Sequence, residues 1–182
     1  MLTISNLSWL KDTFSIKGYQ WENFHIVGIR TKDYIPNTFC DNIFLIEGDK
    51  AYSFHATTRP GKHWLINLLN PKGTAVLCEG QYKNSWRLGL HQGKYEAFIQ
   101  SMPVNVFRDA NRDEKADAVG VIDRGMFGIN IHRANANLMS KLVDKWSAGC
   151  QVIADPSDFN FLLKKCKDSG KGVFTYTLIN ES

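Results

Sequence analysis

The chain has 182 residues, of which 43% are apolar and 22% charged, and its formal net charge is +4. The length favours one well-buried domain over two, and the composition is that of an ordinary globular protein. The basic excess is compatible with an anionic partner such as cell-wall polymer or nucleic acid. However, lysines and arginines are scattered, so we expect no nucleic-acid-binding arm.

No apolar stretch has the length needed to cross a bilayer, so we expect no membrane insertion. The first residues, "MLTISNLSWLKDTF", lack the basic and apolar regions of a secretion signal. We therefore expect synthesis in the cytoplasm without a signal peptide. The cysteines, which are Cys40, Cys78, Cys150 and Cys166, show neither zinc-ligand spacing nor the density of a disulfide scaffold.

The first part of the chain, residues 1–24, is predicted to form an extension with a short capped helix and a turn at Gly18. Residues 25–182 form the main domain. Within it, "NIFLI" and "AYSF" flank "EGDK" and predict a hairpin. Further short strands are predicted at "HWLINLL", "GTAVLC", "YEAFIQ", "PVNVF", "VGVI", "GINIH", "CQVIA" and "VFTYTLI". About ten short strands and few helices indicate a mainly β sandwich or barrel-like domain.

One helix is predicted near the C-terminus, in "DPSDFNFLLKKCKDSGKG". Asp155 or Ser157 is a suitable N-cap, Pro156 suits the first turn, and Gly170 suits the end. Apolar residues recur at helical spacing and include Cys166, which we interpret as a buried helix residue.

An acidic segment, "VFRDANRDEKADAVG", has oxygen ligands at positions 1, 3, 5 and 9 of a calcium loop. These residues are Asp109, Asn111, Asp113 and Asp117. Glu114 replaces the required glycine and Gly120 replaces the final glutamate, which excludes an EF-hand. We expect no metal or cofactor; a partial calcium site is the alternative to a solvated acidic turn.

The segment "GINIH" alternates, with Ile129 and Ile131 on one face of a strand and Asn130 and His132 on the other. His132 is therefore predicted on the polar face at a strand end. After seventeen intervening residues, Cys150 follows Ser-Ala-Gly, a small-residue turn whose N–H groups can surround the next side chain.

These two residues supply a thiol nucleophile and a base, the parts that cysteine acyl transfer requires. From residue types alone, a catalytic pair and two unrelated core residues remain equally open, because a lone cysteine and histidine are weak signals. Papain-like and caspase-like signatures are absent from the chain.

The order of histidine, a gap and then Ser-x-Gly-Cys resembles the catalytic core of the L,D-transpeptidase (YkuD-like) domain family. The matching stretches are "INIHRA" and "SAGCQVI". The form of the motif in this chain, with "GINIH" and "WSAGCQV", is most similar to a branch of the family associated with phage lysis proteins and related bacterial proteins. The resemblance covers about residues 25–180, with "HATTRPGKHW" as a weaker upstream match, and only the His132–Val152 part is specific.

The resemblance implies that Cys150 is the nucleophile toward a peptidoglycan stem peptide and that His132 is the general base and then the general acid. The family orients its histidine through a backbone carbonyl, which maps here to the neighbourhood of Arg133. Gly149 and Cys150 would supply the oxyanion hole, and Ser147 would hold the loop by hydrogen bonds.

Two positions depart from the family pattern. Ala148 replaces a histidine before Gly-Cys, and Val152 replaces an arginine or asparagine that often contacts the substrate carboxylate. Arg59 in "TTRPG" is the candidate replacement cation, with an exposed turn arginine as the alternative.

The segment "GQYKNSWRLGLHQGKYEAF" brings aromatic and polar residues together, which suits a sugar or peptide groove, although a hairpin packed on the core is the simpler account. His91, flanked by glycines, is the second candidate cleft histidine. The side chains expected to contact substrate are Arg59, Asn130, Ser147, Gln151, His91 and Tyr82.

The expected function is hydrolytic cell-wall degradation by an endolysin-like cysteine peptidase, acting as a monomer on peptidoglycan after holin-type release. Hydrolysis is favoured because a cross-linking enzyme normally needs export and the chain shows a lone domain without a signal. The alternatives are a cross-linking L,D-transpeptidase, a non-catalytic cell-wall-binding domain, and an unrelated intracellular thiol enzyme.

Overall fold

The computed structural model describes residues 1–181, which form a mainly β structure with three helices. The strands are β1 (Leu2–Ile4), β2 (Phe24–Arg30), β3 (Asp41–Glu47), β4 (Lys50–Thr57), β5 (Thr74–Leu77), β6 (Gly80–His91), β7 (Tyr95–Gln100), β8 (Val104–Asp109), β9 (Ile122–Gly125), β10 (Ile131–Arg133), β11 (Gln151–Ile153) and β12 (Val173–Asn180). The helices are α1 (Ser8–Ile16), α2 (Lys62–Ile66) and α3 (Pro156–Asp168).

Eight strands close into a barrel, in the order β4, β11, β10, β7, β6, β12, β2 and β3. The β3–β4 hairpin pairs along its whole length, from Asp41↔Ala56 to Glu47↔Lys50, and so returns the sheet to its first strand. Closure removes the unpaired edges of an open sheet. The predicted hairpin and the mainly β character are therefore confirmed.

Alternating residues of the barrel strands point inward and form the main core. Ile43, Phe54, Phe98 and Ile131 are fully buried there. Because side chains alternate along a strand, the neighbours of these residues face outward. The outward face of β10 and β11 carries the candidate site.

Helix α3 closes the barrel with an apolar stripe. Phe159, Leu162 and Cys166 belong to the main core cluster, and the Asp155 side chain accepts a hydrogen bond from the Ser157 N–H at the helix start. The predicted helix, its N-cap and its buried cysteine are confirmed. All four cysteines are free thiols.

Residues 1–24 pack on the outside of the barrel. Strand β1 pairs with the first half of β4, and Leu10 and Phe14 of α1 are buried beside Val27 and Phe44. The predicted short helix and the turn at Gly18, which has a φ of +67°, are confirmed. Of the residues described, none lies in a helix with the length and apolarity needed to span a membrane.

Two strand predictions are wrong. The run "HWLINLL" contains helix α2 instead of a strand, because a short apolar run has no periodicity that distinguishes the two. The run "VGVI" is mostly an exposed loop, and β9 begins only at Ile122. A separate three-stranded sheet, in the order β5, β8 and β9, packs beside the candidate site.

Candidate active site

Two short parallel strands bring the histidine and cysteine segments together. Ile131 of β10 pairs with Gln151 of β11, and the Gln151 N–H donates to the Asn130 carbonyl at 2.9 Å. This register sets Cys150 beside Asn130. Because side chains alternate, Asn130, His132 and Cys150 share the outward face of the barrel while Ile131 enters the core.

The imidazole of His132 is held by a backbone carbonyl. Its Nδ1 lies 2.7 Å from the Arg133 carbonyl oxygen, to which it donates, and the side chain is only 3% exposed. The Tyr95 hydroxyl donates to the same carbonyl at 3.2 Å and lies 3.2 Å from Nδ1. With the proton on Nδ1, the Nε2 lone pair is left to accept a proton.

His91 stacks on His132, with ring centroids 4.1 Å apart and an interplanar angle of 23°. The Asn130 side-chain amide donates to His91 Nδ1 at 3.1 Å, while its carbonyl oxygen accepts from the Gln100 N–H at 3.0 Å. Asn130 is thus fixed between β7 and His91. Both residues support the His132 ring through stacking and hydrogen bonding.

Burial keeps both reacting groups uncharged. It lowers the pKa of His132 to about 3, and the charges of nearby His91 and Arg133 act in the same direction, against the opposing effect of the hydrogen bond to the Arg133 carbonyl. Burial also raises the pKa of the Cys150 thiol to about 11, against the opposing effect of a backbone hydrogen bond from Asn130. At neutral pH the site therefore holds a thiol and a neutral imidazole, not an ion pair.

The turn before Cys150 requires its glycine. Gly149 has a φ of +126°, and a Cβ atom there would lie 2.6 Å from the Ala75 carbonyl oxygen. The Ser147 hydroxyl donates to the Cys150 carbonyl at 2.8 Å and accepts from the Gly149 N–H at 3.2 Å. Ser147 thus ties the loop together, as the resemblance implied.

The Gly149 N–H is engaged by Ser147 and so does not point to a free oxyanion site, in contrast to the sequence-based expectation. The Cys150 N–H has no acceptor within residues 1–181. The Cys150 thiol donates to the Gly128 carbonyl at 3.4 Å, and across the described chain it makes no hydrogen bond with His132. The resting thiol is therefore turned away from the base.

Each residue of this pair lines a cavity of its own. Cys150 lines one of about 350 Å³, whose walls include Ala75, Phe127 and Ile129. His132 lines the other, of about 620 Å³. The second cavity is also lined by His91, Lys94, Tyr95, Arg133, Lys145 and Trp146. A substrate that spans both cavities would pass the thiol and the imidazole in turn.

Arg59, expected to contact the substrate, lies in neither cavity. Its guanidinium forms a buried ion pair with Asp41, donates to the Thr31 carbonyl at 2.7 Å and stacks over Tyr34 at 4.3 Å. The residue is 8% exposed, so the alternative of an exposed turn arginine also fails.

Gln151 and Tyr82 also face away from the cavities. Gln151 alternates with Cys150 and enters the barrel, where its Oε1 accepts from the Tyr176 hydroxyl at 2.9 Å. The Tyr82 hydroxyl donates to the Cys78 carbonyl at 2.8 Å. Both side chains support the core instead of the cleft.

The carboxylates of the acidic loop accept hydrogen bonds from other groups of the same loop. Asn111 donates to the carboxylates of Asp113 and Asp117, and Asp109 accepts from the Asp117 N–H at 2.8 Å. Nowhere in residues 1–181 do three or more His, Cys, Asp or Glu side chains form a group that could hold a metal ion.

Sequence reasoning did not assign Lys94, Lys145 or Trp146 to the site, and it included Tyr95 only as one aromatic residue of a segment that suits a groove. The hairpin of β6 and β7 pairs His91 with Tyr95, so the tyrosine follows once His91 is placed at the cleft. Lys145 and Trp146 directly precede the Ser-Ala-Gly-Cys segment. This position in the sequence indicates that they lie near Cys150 but not that they line the cavity.

The arrangement holds the two groups that nucleophilic acyl transfer requires, a thiol and an oriented neutral imidazole, each at the wall of a cavity. Comparison of the chain with models of protein families, with curated proteins and with solved structures gives no match.

Proposed function

We propose that this protein is a cysteine acyl-transfer enzyme with an L,D-transpeptidase-like fold that acts on peptidoglycan stem peptides, with water as the favoured acceptor. The observation that carries the proposal is the His132 imidazole. Its Nδ1–H is held by the Arg133 carbonyl, and its Nε2 is unpartnered within the described chain, on the same strand face as Cys150.

Acylation begins when the Cys150 thiol turns from the Gly128 carbonyl toward His132. Nε2 takes the thiol proton as the Sγ–C bond forms at the substrate carbonyl. The C–N bond then breaks, and His132 returns the proton to the leaving nitrogen. The Cys150 N–H, without an acceptor in residues 1–181, is available to the developing oxyanion.

Deacylation uses the same base. A water molecule adds to the thioester while Nε2 takes one of its protons, and that proton returns to Sγ as the C–S bond breaks. The sum is one peptide bond and one water converted into an acid and an amine. The 620 Å³ cavity beside His132 is wide enough to admit that water.

The choice of substrate rests on the resemblance of "INIHRA" and "SAGCQVI" to the transpeptidase core and on the net charge of +4, which suits an anionic wall polymer. We propose that the protein works as a monomer without a cofactor and reaches the wall after holin-type release. Arg59 has no part in this proposal, because Asp41 already occupies its guanidinium.

The test is digestion of isolated peptidoglycan followed by mass spectrometry of the released muropeptides. Wild type should open or shorten stem peptides, and Cys150→Ala should lose this activity. Cys40→Ala, which removes another half-buried free thiol, should retain it. Equal activity of wild type and Cys150→Ala would refute the proposal. New cross-linked dimers would mean that the acceptor is an amine instead of water.

A further inference from the structure

We infer that His91 is a positioning residue that keeps an uncharged ring stacked on the base, His132, throughout the reaction. Asn130 enforces this state by holding His91 in the tautomer that has its proton on Nε2. The inference rests on the proposed function. It adds to the reaction a second histidine, which acts through His132 and takes no proton from the thiol or the substrate.

The Asn130 side chain fixes the tautomer of His91. The Gln100 backbone N–H can only donate, so the Asn130 atom that lies 3.0 Å from it is the carbonyl oxygen. The amide nitrogen therefore points at His91 Nδ1, at 3.1 Å. Because this NH₂ group can only donate, Nδ1 must accept, and the proton of neutral His91 lies on Nε2.

His132 has the opposite tautomer. The Arg133 carbonyl can only accept, so His132 Nδ1, 2.7 Å away, carries the proton and Nε2 carries the lone pair. The two rings stack with their centroids 4.1 Å apart. Within the described chain, Nε2 of His132 is thus the one ring nitrogen of this pair whose lone pair is unengaged. The proton of the Cys150 thiol therefore goes to His132 and not to His91.

A proton on His91 would oppose the reaction in two ways. Its Nδ1–H would point at the NH₂ group of Asn130, so a contact between two donors would replace a hydrogen bond. The positive charge would also lie in a ring stacked on His132, where a second positive charge forms as the thiol loses its proton. An uncharged His91 avoids both costs.

The surroundings of His91 favour the uncharged form. Three cations line the same cavity, and they are Lys94, Arg133 and Lys145. Among the described residues, no carboxylate lines that cavity or forms an ion pair with these cations. Glu96, on the same hairpin, is paired with Lys167 at 2.7 Å. Burial raises the pKa of Tyr95 to about 12, so its hydroxyl is uncharged as well. Burial and the charge of Lys94 lower the pKa of His91 below its ordinary value of 6.5.

The first test determines both tautomers without catalysis. Long-range ¹H–¹⁵N NMR of wild type should show the proton of His91 on Nε2 and that of His132 on Nδ1. In Asn130→Asp, one carboxylate oxygen still accepts from the Gln100 N–H while the other faces His91 Nδ1. The pKa of His91 should therefore rise by about 1 or more in this variant. A neutral His91 with its proton on Nδ1 in wild type would overturn the inference.

The second test is the pH dependence of kcat on stem peptides. In Asn130→Asp, kcat should begin to fall toward acid pH about one pH unit above the point at which it falls in Asn130→Asp/His91→Phe. The double variant is the matched control, because it has the same carboxylate but a stacked ring that cannot be charged. Any direct effect of the carboxylate on His132 is present in both. Identical pH profiles would overturn the inference.

Two single variants test the stacking itself. His91→Ala removes the ring and should lower kcat by about tenfold or more, because the base loses its support. His91→Phe keeps a flat ring on His132 and should lower kcat by less. Equal losses in the two variants would contradict the positioning role. If wild type cleaves no stem peptide but NMR finds both tautomers, the proposed reaction fails while the arrangement of Asn130, His91 and His132 stands.

Discussion

Two clusters of polar side chains lie at the ends of neighbouring strands, and they differ in how many partners their groups have. Asp41 is fully buried and accepts hydrogen bonds from the Thr31 N–H, the Thr58 N–H and hydroxyl, and the Arg59 guanidinium. By contrast, within residues 1–181 His132 Nε2 makes no hydrogen bond, and the Cys150 thiol has only backbone partners, the Gly128 carbonyl and the Asn130 backbone. Strand β4 ends at the first cluster and pairs with β11 of the second.

This difference separates structural from functional polar groups. Burial of charge is tolerated when opposite charge and hydrogen bonds compensate it, as at Asp41 and Arg59. Groups at the cleft are instead kept neutral, or left as unpaired cations around an open cavity. Hydrogen-bonding groups that face a cavity without a partner can bind a substrate. The cluster of His132 and Cys150 is therefore the candidate catalytic site.

The largest effect should come from removing the base. His132→Gln keeps a polar side chain of similar reach but cannot transfer the proton, so kcat on stem peptides should fall by about 10²–10⁴-fold. The measurement is the initial rate of peptide release, with His55→Gln, a surface histidine on β4, as control. A decrease below about tenfold would mean that another group supplies the base.

The next largest effect should appear in the structural cluster. Arg59→Met leaves Asp41 as a buried charge without its cation, which should lower the free energy of unfolding by about 3–5 kcal/mol in urea denaturation. The double variant Asp41→Asn/Arg59→Met should recover part of this loss, because it removes both charges.

The same variant sharpens the contrast between the clusters. At a temperature where Arg59→Met is folded, its kcat/KM on stem peptides should equal that of wild type, since Arg59 lines neither cavity. If Arg59→Met kept the stability of wild type but cleaved stem peptides poorly, Arg59 would belong to the substrate site.

The smallest effect concerns acid stability. The folded pKa of His132 is about 3, below its ordinary value of 6.5, so the unfolded chain binds a proton that the folded chain does not. The contribution of His132 is therefore constant above pH 6.5 and declines as the pH falls toward 3. Between pH 6 and 4, wild type should lose up to about 1.4 kcal/mol per pH unit more than His132→Gln.

Urea unfolding at several pH values measures this slope. His25 also has a pKa lowered by burial, but it is present in the variant and cancels in the comparison. Parallel stability curves for wild type and His132→Gln would mean that His132 is not buried in neutral form.

The strand alternation of the candidate site was predictable from the sequence. The period of two in "GINIH" assigns Asn130 and His132 to the face opposite Ile131, which is the face that they occupy. The same rule, applied to "CQVIA", would have assigned Gln151 to the face opposite Cys150. Its prediction as a substrate contact therefore conflicted with a rule already in use.

Other features depend on distant parts of the chain. Asp41 lies 18 residues before Arg59, and only the pairing of β3 with β4 brings the two together. Lys94 comes from the β6–β7 hairpin and Lys145 from the loop before Cys150, so a local pattern cannot predict the cavity that they share. The family resemblance implied the loop role of Ser147, whereas the engagement of the Gly149 N–H required coordinates.

The most direct test of the central claim is to detect the acyl group on Cys150. Wild type incubated with a stem peptide is quenched in acid, digested, and mapped by mass spectrometry over a time course. The account predicts a thioester on the peptide that contains Cys150, absent from Cys150→Ala and lost as free acid appears. Cleavage that proceeds at the wild-type rate in Cys150→Ala, or an acyl group on a different residue, would contradict it.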